Sequence, residues 1–353
     1  MAMDNTKNKW GLLDWRKWHY HTKYFIAAPA WIWFTIKSGN IWFFTAADPT
    51  LTFGGMEGEG KREMYEQLPE GTYPKTIYIN ADEPVEAVKQ RVEKDFPYPF
   101  VVKPEIGMMG FMFRKISNPS QLEAYHKAMS NEYIVQSLVE YGTEVSVMYH
   151  RFPGEERGRI TGFIIKEPGF VLGDGRSSLK DLILTHADEK IEKQKTLVKF
   201  QSELNDILPI GFKKRLSDAS NRSQGGLMHD QSHLIDEELE LMFDKLSLHA
   251  GKFYYGRYDI LCNSVEDLKK GMNYSILEFN GTGAGPQHFH TVDSFIKVVD
   301  IIIEHWNLIY LIAKKNRQLG VPIWGFVKGL KHLRWANRNL KHLEALDKAF
   351  PAT

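Results

Sequence analysis

FYYGRYDILCNSVEDLKKGMNYSILEFNGTGAG, Phe253 to Gly285, holds the two segments whose pairing decides the fold. Phe253 to Leu261 and Tyr274 to Asn280 are rich in aromatic and β-branched residues, and the polar run Asn263 to Gly271 suits a connecting turn. Side chains two apart on a strand share a face, so Arg257 and Asp259 point one way and Glu278 and Asn280 point together. Paired, the strands present a wall with a cation, two carboxylates and a carboxamide. Ser275, Leu277 and Phe279 form the opposite face of the second strand, so a core is expected behind the wall and a cleft before it. Carboxylates this close repel one another unless positive charge sits between them. A hard divalent cation meets that need, because magnesium takes oxygen ligands and binds through one or two carboxylates plus phosphates. Asp259, Glu278 and Asn280 are therefore the candidate metal ligands. The competing reading makes Arg257 and Asp259 a surface ion pair and leaves Glu278 in water.

At 353 residues and 43% hydrophobic, the chain has material for one large domain or two to three small ones. A net charge of +1 gives no global argument for nucleic acid or strongly acidic partners. The single cysteine, Cys262, excludes an intrachain disulfide and a cysteine zinc site, fits a reducing cytoplasm, and reads as a small buried hydrophobe. No secretory signal is evident. Tyr24 to Ile36, YFIAAPAWIWFTI, is shorter than the roughly 20 residues a membrane-spanning helix needs. Flanked by Arg16, Lys17, Lys23 and Lys37 and carrying Trp31 and Trp33, it suits a membrane interface; a hairpin or buried covering element is the alternative. Near the carboxy terminus Lys314, Lys315, Arg317, Lys328, Lys331, Arg334, Arg338 and Lys341 accompany Trp324, Phe326, Leu330, Leu333 and Trp335. That pattern reads as an interfacial basic amphipathic helix or as a solvated face, and the expectation is a cytoplasmic protein with peripheral membrane contact.

Taken in order, Trp10, Trp15 and Trp18 precede the pair His19 and His21, which lacks a third metal ligand nearby. Ile41 to Ala46 is a short strand candidate, and Asp48 to Lys61 a glycine-bearing loop expected to line a pocket; Arg62 after Lys61 breaks the phosphate-loop pattern. A helical turn (Arg62 to Leu68), a strand (Thr76 to Asn80) and a helix (Pro84 to Asp95) lead to the strand Phe100 to Lys103. Lys103 beside Gly107 and Gly110 suits a polyphosphate, the ammonium supplying charge and the loop free N–H groups. Then come a helix (Pro119 to Met129), strands at Tyr133 to Val139 and Val145 to Tyr149, and a strand Arg159 to Lys166 carrying a second lysine. Extended backbone at Val135 to Val139, including Gln136, Leu138 and Val139, offers groups to an adenine edge, and Glu144 to ribose hydroxyls; otherwise Glu144 is a strand-end carboxylate in water. Lys166 joins the nucleotide-contacting set. Gly173 to Gly175 form a turn before a helix capped by Ser177 or Ser178, Lys193 to Leu204 and Asp236 to Ala250 are helices, and Asn221 to Asp230 reads as a mobile loop over the site.

In this order the motifs resemble the ATP-grasp superfamily, and within it carboxylate-amine ligases typified by D-alanine-D-alanine ligase. The resemblance covers about Phe96 to Asp300. It implies an α/β (α+β) fold in which two subdomains, about 96–140 and 141–300, grip ATP between antiparallel sheets, flanked by an aromatic, basic region at 1–95 and a helical extension at 301–353. Lys103 with Gly107 to Gly110 resembles the lysine and phosphate flap, Gln136 to Val139 the adenine hinge, Glu144 the ribose ligand, Arg257 the arginine on the transferring phosphate, and Asp259, Glu278 and Asn280 the ligands of magnesium or manganese. Gly173 to Arg176 resembles cyanophycin synthetase-like relatives. Gln136 and Ser137 stand where the hinge is usually acidic, and the first ninety-odd residues and the Asp188 to Ser232 insertion are unlike the family, departures that argue against D-alanine itself as the substrate of a D-alanine-D-alanine ligase-like enzyme. The implied activity is ATP-dependent joining of a small carboxylate to an amine through an acyl phosphate. Alternatives are an ATP-grasp phosphotransferase and a membrane-surface binding protein with a vestigial site.

Overall fold

In the computed structural model, which describes Trp18 and residues 20–188, 191–217, 220 and 225–350, helix and strand alternate around two antiparallel sheets. Trp10, Trp15, Arg16, Lys17, His19 and the side chain of His21, on which expectations were stated above, lie outside the described residues, as does the part of the expected loop at 221–224.

Helix α1 (Tyr20–Ser38) opens the described chain, and a 3-10 turn at Phe43–Ala46 follows where a strand was expected. Phe43 and Phe44 are buried against Trp31, so an aromatic cluster, rather than a strand partner, fixes this backbone. Helix α2 (Lys61–Tyr65) precedes strand β1 (Thr76–Ile79), helix α3 (Val85–Asp95) and strands β2 (Phe100–Pro104) and β3 (Arg114–Ile116). Helix α4 (Pro119–Ala128) is capped by the Asn118 side chain, and β4 (Tyr133–Ser137) completes a sheet of order β1-β4-β2-β3. Strand β1 lies before Phe96, so this sheet draws on the amino-terminal region. Its outer face packs Val102, Val135 and Ile79 against Val88, Val92 and Leu122 from the helices; Lys103 and Gln136 belong to the other face by alternation.

The second sheet is built from β5 (Thr143–His150), β6 (Arg159–Glu167) and three strands further along. Between them come β7 (Phe170–Leu172), α5 (Leu179–Leu184), α6 (Lys193–Lys199) and β8 (Lys213–Arg215), a satellite with its own small core around Val171, Leu179 and Phe200. Strand β9 (Leu227–Asp230) pairs with β6, so this part of the expected mobile loop is an edge strand, held by a ladder that pairs Lys166 with Met228. Helix α7 (Glu237–Ala250), β10 (Tyr255–Cys262), the short α8 (Val265–Lys269) and β11 (Tyr274–Asn280) complete the order β11-β10-β5-β6-β9. Tyr258, Ile260, Val145 and Val147 face α7 through Leu239, Phe243 and Leu246.

Two long helices, α9 (Phe295–Gln318) and α10 (Phe326–Ala349), close the chain. Asn316 of α9 is fully buried and donates to the carbonyls of Ala46 and Ala47 at 2.8 and 3.2 Å, locking α9 to the aromatic cluster. Unmaking buried hydrogen bonds costs about 1–3 kcal/mol per stranded group. Asn316→Ala is therefore expected to lower unfolding free energy by on the order of 2 kcal/mol in urea titration, and an unchanged midpoint would remove this role.

Candidate functional site

Antiparallel pairing of β10 with β11 sets Asp259 opposite Glu278 and Arg257 opposite Asn280, so the expected wall forms. Its far side departs from strict alternation. The register then skips to Ile260 opposite Ile276, leaving Leu277 as the extra residue of a bulge. Ile276 and Phe279, rather than Leu277, carry the core behind the wall. The Leu277 carbonyl instead accepts hydrogen bonds from the Tyr65 hydroxyl at 2.6 Å and the Lys103 ammonium at 3.4 Å. Lys103 also lies 3.4 Å from the Tyr65 oxygen. The first sheet and α2 are thereby tied to the second sheet. Burial lowers the Lys103 pKa against the pull of Glu278.

Positive charge is already present on the wall, which corrects the argument that its carboxylates need a divalent ion to coexist. Asp259 is buried, with Lys166 2.6 Å from one oxygen and Arg257 2.9 Å from the other. Burial opposes its charge, yet Arg257 and Lys166 outweigh burial and hold the carboxyl below the usual range. Lys166 also reaches Glu144 at 3.3 Å, and Glu278 lies 3.8 Å from the Lys61 ammonium. The pair Arg257 and Asp259 exists, but as part of this buried network and not as a surface pair.

Among the described residues no cluster of three His, Cys, Asp or Glu side chains is placed to hold a metal. The candidate set has two carboxylates and an amide, and the Asn280 Nδ2 and Ser146 Oγ atoms are buried without hydrogen-bond partners. Ser146 stands opposite Asp259 on β5. The two carboxylates and the Asn280 amide oxygen are the donor types a hard cation takes, whereas the unpartnered Nδ2 and Oγ are hydrogen-bonding groups open to a ligand beside them.

The other expected residues fall around this wall. Gln136 is buried and donates to the Thr76 hydroxyl at 2.7 Å, while Leu138 and Val139 lie in the connection from β4 to β5, between the sheets. Gly107 and Gly110 lie in the loop after β2, where Gly110 has φ 77°; helix α10 holds this loop through Asn339 on the Ile106 carbonyl and Asp347 on the Met112 N–H. At Gly173 to Arg176 the Asp174 carboxylate is spent within its own turn, accepting from Arg176 and Ser177.

Lys61, Glu59 and Tyr65 were not foreseen. They are carried by the loop 51–60 and α2, which press on the turn after β11: Thr282 N–H donates to Gly54 O at 3.0 Å and Gly283 N–H to Gly55 O at 2.8 Å. A Cβ on Gly283 would sit 2.2 Å from the Met56 carbonyl oxygen, so two glycine turns make this approach possible. The loop thus reaches the turn that follows the wall. Burial, then Glu278, pushes the Glu59 carboxyl up to about 7.

Beyond Arg257 the same face of the sheet passes into a row of histidines. Tyr255 pairs with His150, and the Tyr255 hydroxyl lies 2.9 Å from His305 Nδ1 on α9. His288, on the turn after Gly285, has its ring 5.4 Å from that of His305 and sits where a Cβ on Gly162 would be, 2.2 Å from Nδ1. The Nδ1 atoms of His150 and His288 and the Gln287 Oε1 are buried without hydrogen-bond partners. Burial lowers all three histidines, helped at His305 by His288 and His150, and at His150, brought to about 4, by Arg159.

No family model matches the chain, and no curated protein matches it. Solved ligases resemble it. The VanG D-Ala:D-Ser ligase of Enterococcus faecalis is 14% identical with a TM-score of 0.41, covering 72% of this chain and 62% of that one. The D-alanine-D-alanine ligase of Bacillus anthracis is 15% identical (TM-score 0.38; 71% and 68% covered), and the ATP-grasp ligase PsnB 16% (0.36; 70% and 60%). Against the bifunctional glutathione synthetase of Pasteurella multocida, at 14% identity and a TM-score of 0.39, the match takes in 69% of this chain but spans only 34% of that protein. Likenesses of this degree carry no functional argument, so function is argued from the wall itself.

Two titrations test the electrostatics. Lys166→Met strands Asp259 with one partner, and breaking a buried pair costs about 3–5 kcal/mol; the variant should unfold at markedly lower urea at pH 7. Native Asp259 has a depressed pKa, so its contribution is present above the unfolded value of about 3.9 and is lost as pH falls below it; the variant's deficit should shrink there. For His150 the folded pKa of about 4 lies below the unfolded one, so stability falls as pH drops from about 6.5 towards 4, by on the order of 3 kcal/mol. His150→Gln should flatten that slope; an unchanged slope would place the titration elsewhere.

Proposed function

We propose that the chain binds ATP between its two sheets and joins a carboxylate to an amine through an acyl phosphate. The supporting observation is the paired row Arg257–Asn280 and Asp259–Glu278, met by Lys61 and Lys103 from elements outside that sheet. In this reading the carboxylate oxygen of the substrate attacks the γ-phosphorus and ADP leaves; the amine nitrogen then attacks the acyl carbon, phosphate leaves, and the nitrogen gives up a proton. Lys103 and Arg257 offset charge on the transferring group, acting through position and electrostatics. Lys166 and Glu144 hold the wall's carboxylate and the ribose side, and Gln136 to Val139 line the adenine. Asp259, Glu278 and Asn280 would hold magnesium or manganese, which would supply charge neutralisation along the phosphates. His288, kept neutral by burial and lying beyond Arg257, accepts the proton of the amine.

ATP turnover with magnesium, run over a panel of amino acids, dipeptides and other acid–amine pairs, tests this. Substrate-dependent release of ADP and phosphate is expected, falling by about 100-fold or more in Glu278→Gln. Phosphorylated product without an amide would make the chain a phosphotransferase, and failure to bind ATP would end the reading. The role of His288 is separable from it. Hydroxylamine is mostly unprotonated at neutral pH, so only the proton released after attack must leave, and water or the departing phosphate can take it; His288→Gln should therefore retain hydroxamate formation while losing most amide formation with an ammonium-bearing acceptor. Equal loss of both products would assign His288 to structure alone.

A further inference from the structure

Helix α1 is apolar on both sides. Ala27, Trp31 and Phe34 face inward, Ala27 among Phe289, Val298 and Ile302 and the other two on Phe43, Phe44, Trp306 and Tyr310. At positions 25, 26, 29, 32, 33 and 36, helical spacing brings Phe25, Ile26, Pro29, Ile32, Trp33 and Ile36 to the outer face, where all are exposed, from 39% at Ile26 to 78% at Phe25. A helix hydrophobic all round belongs in a buried or lipid environment. Here one side has no protein neighbour among the described residues that covers it.

The end of this helix meets further exposed apolar residues. Arg317 donates to the Ser38 carbonyl at 2.7 Å, and the Trp42 indole to the Phe326 carbonyl at 3.2 Å, which brings Ile36, Ile41, Leu319, Phe326 and Val327 to one corner. Those five are exposed as well. Charge within the segments that carry them has one sign, with Lys315 alone of this stretch of α9, among the described residues, meeting an acid from elsewhere, Glu155 at 3.1 Å. No Asp or Glu occurs from Trp15 to Ala47, nor from His305 to Leu343. Lys37, Lys314, Arg317, Lys328, Lys331 and Arg334 in these segments are all exposed. Lys37 lies over the Trp33 ring at 5.1 Å and Lys328 over Trp324 at 3.8 Å, so cations and the aromatic residues share the surface.

No described helix is long and apolar enough to cross a membrane. We propose that the outer face of α1 and the corner it forms with the end of α9 and the start of α10 lie on an anionic bilayer. Aromatic and aliphatic side chains enter the headgroup boundary while the lysines and arginines meet lipid phosphates and carboxylates. A protein groove would satisfy the apolar face but leaves the excess of exposed basic charge at Lys37, Lys314, Arg317, Lys328, Lys331 and Arg334 without a reason. The anionic bilayer answers both. This surface is independent of the ligase reading and stands or falls without it.

The test is flotation of the full chain with vesicles of phosphatidylcholine alone and of a phosphatidylcholine–phosphatidylserine mixture, at low and high salt. Binding is expected on the mixed vesicles, with a blue shift of tryptophan emission, and it weakens with salt. The double variants Trp33→Ser/Ile36→Ser and Lys328→Glu/Lys331→Glu replace exposed residues, and each should reduce binding about tenfold or more, with urea midpoints matching the parent. Failure to float, equal binding to neutral vesicles, or variants that bind like the parent would overturn the proposal. So would a dimer in sedimentation velocity that the serine variant abolishes while vesicles remain unbound.

Discussion

A single extra residue in one strand holds the two halves of the site together. Because Leu277 has no partner in the ladder, its carbonyl is released to accept from Tyr65 and Lys103. Those contacts bring an ammonium from one sheet to the edge of the other and place Glu278 within reach of Lys61. A regular ladder would pair that carbonyl inside the sheet, and the link from Lys103 to the second sheet would be lost. The bulge also divides labour along β11: Ile276 and Phe279 hold the core while Glu278 and Asn280 keep the open face.

Around that link, charge is arranged so that burial becomes tolerable. Each oxygen of Asp259 has its own cation, and Lys166 shares itself with Glu144. Removing water from such a network strengthens every attraction in it and raises the penalty for any missing member. The histidine row uses burial in the opposite way. Neutral rings there carry lone pairs without charge, and beyond Arg257 the buried groups change from ion pairs to neutral imidazoles.

The wall was legible because strand alternation and charged residue types coincide in R-x-D and E-x-N, two patterns that few structural roles require together. Its order behind Lys103 and the glycine loop was legible too, as were the helices capped by Asn118, Ser178 and Asp236. Alternation could not reveal the bulge, since Leu277 and Ile276 are equally apolar. Ile41 to Ala46 looked like a strand because its residues favour extended backbone, but aromatic packing against α1 outweighed that preference. Lys61 and Glu59 reach the wall from more than two hundred residues away in the chain. The only local sign was a glycine cluster in each of two loops, whose mutual contact no spacing rule predicts.

Near its middle, helix α9 buries His305 against Tyr255, and it ends beside the exposed corner of Arg317 and Leu319. With Asn316 pinned to the backbone at Ala46 and Ala47, this helix acts as a strut of set length. From His305 to Leu319 it rises about 21 Å. The histidine row consequently keeps a constant separation from that corner, so a movement of the corner carries the row with it and does not stretch the gap between them.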